Sequence, residues 1–225
     1  FGGVHLEIFS ILKSTFKDFY EDLFKLVLLS TAWFVGSFIL LFFILISFNS
    51  GWYIFLLVPV LFLGPIFLTS LYGADQIMKE GRVAFKSLFS YLKNNFWRAF
   101  SAFLFSLVLY IIFIIDLRFF LIKGQENIWL LAFAFLFAYL LIYFSICQIY
   151  FWGLLVIQPD RSLKKIIKTA FILSLDNIIY SLILFLAIFL LTVILTVIGI
   201  GIPAGFIGLI GILMIKGTEE MIAKY

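Results

Sequence analysis

FKSLFSYLKNNFWRAF, residues Phe85 to Phe100, is a basic amphipathic stretch that runs directly into a strongly apolar one. Drawn as a helix, it puts Phe85, Leu88, Phe89, Leu92 and Phe96 on one face and Lys86, Ser90 and Lys93 on the other. That is the pattern of a helix lying on a membrane surface, its apolar side in the acyl boundary and its lysines among the headgroups. Similar words recur on either side of it. Lys13-Ser14-Thr15-Phe16 precedes Asp22, Lys86-Ser87-Leu88-Phe89 precedes Asn95, and Lys168-Thr169-Ala170-Phe171 precedes Asn177, with the polar residue nine positions after the lysine each time. A chain this rich in Lys, Phe and Leu can also produce such words by coincidence.

The rest of the composition names the solvent. Of 225 residues, 65% are hydrophobic and only 12% charged, and the mean hydropathy is +1.22, more apolar surface than a soluble domain can cover. Whole runs of about 20 residues carry no charge, enough to cross a ~30 Å hydrocarbon layer. In lipid each backbone N–H and C=O must be paired within its own segment, so the expected class is an all-α polytopic membrane protein. Cys147 is the only cysteine, which excludes an internal disulfide and a cysteine zinc cluster and leaves a small packed hydrophobe as its ordinary role. No cleavable signal peptide is recognisable, and the start at Phe1 reads as trimmed.

Taken in order, residues 5 to 22 form a first amphipathic interfacial helix, with Ile8, Leu12, Phe16 and Phe19 at helical spacing. A first span runs from about Leu23 to Phe48, and Asn49-Ser50-Gly51 turns the chain before an aromatic pair, Trp52-Tyr53, suited to a headgroup boundary. The second span, Trp52 to Tyr72, holds Pro59 and Gly64-Pro65, where a kink for packing competes with a substrate-binding break. The third runs from Phe96 to Arg118 and the fourth from Trp129 to Ile157, joined by the polar loop LIKGQEN. Gln158-Pro159-Asp160 stops the fourth. Arg161, Lys164, Lys165 and Lys168 then decorate a third interfacial helix, before a fifth span at Ile178 to Ile198. After Gly199-Ile200-Gly201-Ile202-Pro203 a sixth helix starts near Ala204, with Gly201, Gly205 and Gly208 as a small-residue face for close helix approach. Its apolar run is short, so a re-entrant segment and a five-span chain are the alternative.

Charge sets the orientation. With the amino terminus inside, every Lys and Arg except Arg118 and Lys123 lies on the inner side, the positive-inside pattern for six spans with both termini cytoplasmic. Combined with the repeated words, this gives one transmembrane domain of three hairpins, each preceded by a cytoplasmic interfacial helix, in units 5–78, 79–157 and 158–225. Asp22, Asn95 and Asn177 then fall where each surface helix enters the membrane, and a short polar side chain there serves to cap the new helix.

Several words of this chain together resemble the YesL-like family of bacterial integral membrane proteins. They are Gly64-Pro65 with the helix to Ala74, FKSLFSYLKNNFWRAF at 85 to 100, Asp116-Leu117-Arg118-Phe119-Phe120, and FWGLLVIQPDRSLKKIIKTAFILSLDN at 151 to 177. Such proteins tend to show Asn-Pro where this chain has Asn177-Ile178, and Asn where it has Asp22. The resemblance implies a bacterial cytoplasmic membrane protein associated with carbohydrate uptake, with sugar importer subunits as expected partners, and it carries no catalytic residues over.

Candidate chemistry is sparse. His5 is the one histidine, and no acid lies deep in any predicted span; Asp116 and Arg118, at i and i+2, do not face each other. No cofactor, metal or nucleic-acid site is expected, because the lysines border spans where they attract anionic lipid. The reading is therefore a non-enzymatic accessory or scaffold protein, with Lys86, Lys93, Lys164, Lys165 and Lys168 as partner or lipid contacts. The alternative is a stand-alone transporter or channel for a small neutral solute, with Gln148, Ser145, Asn127 and Tyr143 offering uncharged hydrogen bonds.

Overall fold

Helix follows helix along the chain in a computed structural model that describes residues 2 to 125 and 127 to 224, with side chains from residue 8 onward; His5 lies outside the described side chains. The order is α1 (Gly2–Glu21), α2 (Leu23–Ser50), α3 (Leu57–Glu80), α4 (Phe85–Gly124), α5 (Ile128–Ile157), α6 (Leu163–Asp176), α7 (Ile178–Val197) and α8 (Gly201–Ile222). A 3-10 turn at Tyr53–Leu56 leads into α3, and no strand occurs among the described residues. All but α1 and α6 are long and apolar enough to cross a membrane, giving six candidate spans. Gly81 ends α3 in the left-handed region, φ 65°, and donates its N–H to the Ile77 carbonyl at 2.9 Å, a cap that a side chain would strain.

The segment from Phe85 to Phe100 is not a separate surface helix. It is the first part of α4, a single helix of 40 residues, about 60 Å long at the helical rise. Asn95 interrupts nothing, because its side-chain amide donates back to the Tyr91 carbonyl at 3.2 Å and the backbone passes straight through. Asp22 and Asn177 do stand at real breaks, between α1 and α2 and between α6 and α7, yet neither makes a side-chain cap bond. The Asp22 carboxylate takes Lys25 at 2.5 Å instead. Asn127 does what was expected of those three, accepting the Trp129 N–H at 3.0 Å at the start of α5.

Helix α8 occupies the middle. Of its most apolar window 72% is buried, against 33% or less for the other spans, and it packs on α1, α2, α3, α5 and α7. Between Phe206 and Gly211 it widens to a π-helix, and the Gly208 N–H donates to Ser30 of α2 at 3.0 Å. The expected small-residue face is used unevenly. A Cβ on Gly208 would lie 2.6 Å from the Phe19 ring, and one on Gly201 2.5 Å from the Leu195 carbonyl oxygen in its own hairpin, whereas Gly205 meets only ordinary contacts.

The prolines of α3 serve packing. Pro59 sits just past the junction of the 3-10 turn and α3, and α3 continues unbroken through Pro65. Gly64 marks the crossing with α4, where a Cβ would meet Phe103 Cβ at 2.4 Å and the Ala99 carbonyl at 2.7 Å.

Candidate functional site

Two places merit attention, a cleft within the apolar layer and the basic end of the bundle. The cleft follows from the packing order. Helix α2 runs along α3 and α8, while α4 runs along α3 and α5, so α2 and α4 stand as opposite walls over a floor of α3 and α5. The space between them is about 350 Å³. Trp33 and Ser37 come from α2, Phe67 from α3, Ser106 and Tyr110 from α4, Gln148 and Trp152 from α5. Aromatic contacts hold the walls. Trp33 stacks on Phe206 at 4.9 Å, and Phe67 meets Trp152 edge-on at 5.0 Å.

The polar groups of the cleft are few and well defined. Gln148, 9% exposed, accepts the Ser106 hydroxyl at 3.0 Å, and the same hydroxyl lies 3.0 Å from the Ala102 carbonyl. Tyr110 and Ser145 share a hydrogen bond at 3.0 Å. The Ser37 hydroxyl is buried without a partner. Gln148 stands nine residues, about 13 Å, before the end of α5. The four residues expected to share a neutral solute are not brought together. Tyr143 turns to Ser174 of α6 at 3.0 Å, Asn127 caps α5, Ser145 reaches the cleft only through Tyr110, and Gln148 alone lines it.

At the basic end two sets of cations stand out. The first is consumed by the fold. Lys216 pairs with Asp18 at 2.6 Å and donates to Ser14 at 3.0 Å, tying α1 to α8. Lys25 joins Asp22 to the Gly81 carbonyl, and Arg98 donates to the Gln158 carbonyl at 2.8 Å and to that of Pro159, fastening the α5–α6 turn to α4. Lys79 lies 2.7 Å from Asp75 and 3.2 Å from Glu219; the first contact has ion-pair distance without hydrogen-bond alignment.

Asp75, only 5% exposed, is a buried acid that lies past the expected end of the second span and was not singled out as a site residue. The second span was expected to stop at Tyr72, but nothing breaks the helix before Gly81. The Asp75 and Lys79 spacing of i and i+4 was the available signal.

The second set is Lys86 and Lys93 on α4 with Lys164, Lys165 and Lys168 on α6. All are exposed, and none forms an ion pair among the described residues. Asp116 and Arg118, toward the other end of α4, likewise form none.

No family model, curated protein or solved structure shows a significant match to the chain. The six apolar helices therefore carry the classification, and the protein is an integral membrane protein.

Proposed function

We propose that this protein is a non-enzymatic accessory or scaffold subunit whose exposed basic rim contacts a partner at the membrane surface. The observation that carries the reading is the division of the cations. Lys25, Lys79, Arg98 and Lys216 are engaged in contacts that hold the helices together, whereas Lys86, Lys93, Lys164, Lys165 and Lys168 are exposed and form no ion pair among the described residues. Exposed cations on α4 and α6 suit acidic side chains or anionic headgroups, where each contributes about 1 kcal/mol near the surface.

The setting comes from the resemblance to YesL-like proteins: the bacterial cytoplasmic membrane, the basic end and both termini on the cytoplasmic side, and sugar importer subunits as partners. Affinity purification in mild detergent tests it. Recovery of permease or ATPase subunits, lost when Lys86, Lys93, Lys164 and Lys168 are reversed to Glu in a chain that still inserts, is the expected result. Purified protein that alone moves labelled sugar into liposomes would overturn it in favour of a stand-alone transporter. That second reading has one observation on its side, the cleft around Gln148.

A further inference from the structure

We propose that the cleft between α2 and α4 binds an uncharged, hydroxyl-bearing lipid, its hydroxyl at the Gln148 amide and its chain against Trp33, Phe67 and Trp152. In the apolar layer no bulk water is at hand to satisfy a polar group left over by the protein. Gln148 is nine-tenths buried in the cleft floor, and its amide has an oxygen and two N–H donors to satisfy. Ser106 takes one end at 3.0 Å, and the other end has no protein partner. Ser37, on the α2 wall, adds a buried hydroxyl that is unpaired. A buried unpaired hydroxyl and an amide bonded at one end only face one void of about 350 Å³, and they point to a ligand that completes them.

The chemistry of that ligand follows from the lining. Ser106 has a single proton within 3.0 Å of both the Ala102 carbonyl and the Gln148 oxygen, so the amide offers the cavity either its N–H₂ or its C=O. A hydroxyl donates and accepts, and pairs with either. No charged side chain lines the cleft, which disfavours an ionic headgroup. A hexose would leave most of its hydroxyls facing Leu63, Phe67 and Leu107, whereas an alcohol on an alkyl chain has one to place. The walls belong to peripheral helices, with Val35 and Phe38 on α2 and Leu104 and Val108 on α4 exposed, so a lipid reaches the site sideways from the bilayer. None of this depends on the basic rim.

The test uses the full chain in phosphatidylcholine nanodiscs, irradiated with a diazirine derivative of dodecanol. Label should map to α2, α4 and α5 at the cleft, and dodecanol should compete for it about tenfold better than dodecane, the worth of one buried hydrogen bond. Gln148→Leu should erase that difference, and Leu107→Trp, which fills the cleft from its wall, should remove the label. Dodecane competing as well as dodecanol, label confined to other helices, or competition by glucose would each overturn the proposal. If Gln148→Leu does not fold, the ratio of dodecanol to dodecane on the unaltered chain and on Ser37→Ala still decides.

Discussion

Where α5 crosses α8, the Thr218 side chain packs directly on the backbone of Gly153. A Cβ on Gly153 would lie 2.3 Å from Thr218 Oγ1, 2.9 Å from Thr218 Cβ and 3.2 Å from the Met214 carbonyl oxygen. Thr218 is fully buried and its hydroxyl donates to the Met214 carbonyl at 2.7 Å, so it has neither space nor a free rotamer to yield. Gly153→Ala must then push α5 away from the central helix. Overpacking by one methyl costs about 1–3 kcal/mol, and contact with both a bonded hydroxyl and a backbone carbonyl places this case near the top. The better helix propensity of Ala returns about 1 kcal/mol, leaving a net loss of about 2 kcal/mol. For a chain of this size that lowers Tm by roughly 4–8 °C.

Fluorescence-detected size exclusion after stepwise heating in detergent measures the shift. Gly36→Ala is the control, because its Cβ would meet only Ile66 methyl groups, the nearer at 3.8 Å, and the propensity gain should stand alone. Thr218→Ala on the Gly153→Ala background removes the hydroxyl at 2.3 Å and should recover part of the loss. A Gly153→Ala protein that melts at or above the parent temperature would refute the packing argument.

The other predictions concern the charged end. Lys216→Met leaves Asp18 without its cation; with the two side chains 19% and 32% exposed, the loss should be about 1–2 kcal/mol, and protease cleavage within α1 should accelerate. Asp18→Asn on that background should restore most of the protection, since it removes the stranded charge. Arg98→Lys cannot span the two carbonyls of Gln158 and Pro159, so amide exchange at residues 160 to 163 should rise while that of α5 does not. Reversing Lys86, Lys93, Lys164 and Lys168 together should leave Tm within about 2 kcal/mol-equivalent of the parent, each exposed site being worth 0.5 kcal/mol or less, while binding to anionic vesicles falls. Cys147 is buried, so maleimide should label it only after denaturation, leaving Lys86→Cys and Lys123→Cys as clean reporters on opposite ends of α4.

The turns at Gly51 and Gly199 were legible because they are written in residues with one meaning, whereas the end of α3 at Gly81 was placed nine residues early. Gly51, Gly81 and Gly199 take positive φ at the turns, and the charge asymmetry follows the ends of the spans. The continuity of α4 was not, because amphipathicity over 85 to 100 describes equally a helix on the membrane surface and one packed along α3. Tyr72 stacked on Tyr91 at 3.9 Å and Leu88 against Gly73 choose the second. Those contacts link residues far apart in sequence and have no local signature. Phe16 shows the same limit on α1, expected on the apolar side yet 47% exposed, while Ile11 and Thr15 turn inward.

Within the bilayer the rule that sorts a soluble core fails altogether. Leu packed on protein and Leu facing an acyl chain are equally apolar, so hydrophobicity cannot say which helix is central. The least apolar of the six spans, α8, is the most buried, and α7, the most apolar, has 22% of its window buried. Close approach decides instead. Gly153 admits Thr218, Gly217 admits Leu184 with a Cβ distance of 2.5 Å, and Gly208 admits Phe19, so three small residues let α5, α7 and α1 press against the same helix. The cleft is the complement of that arrangement. Where α2 meets α4 no glycine brings the backbones together, and Trp33, Phe103 and Trp152 hold open a space that Gln148 faces. Replacing the bulk that props the space should therefore close it: Trp33→Leu lets α2 settle toward α4, and loss of the dodecanol label in a chain that keeps its fold at a lower Tm, the cost of the lost Phe206 stack, would tie the cavity to side-chain size.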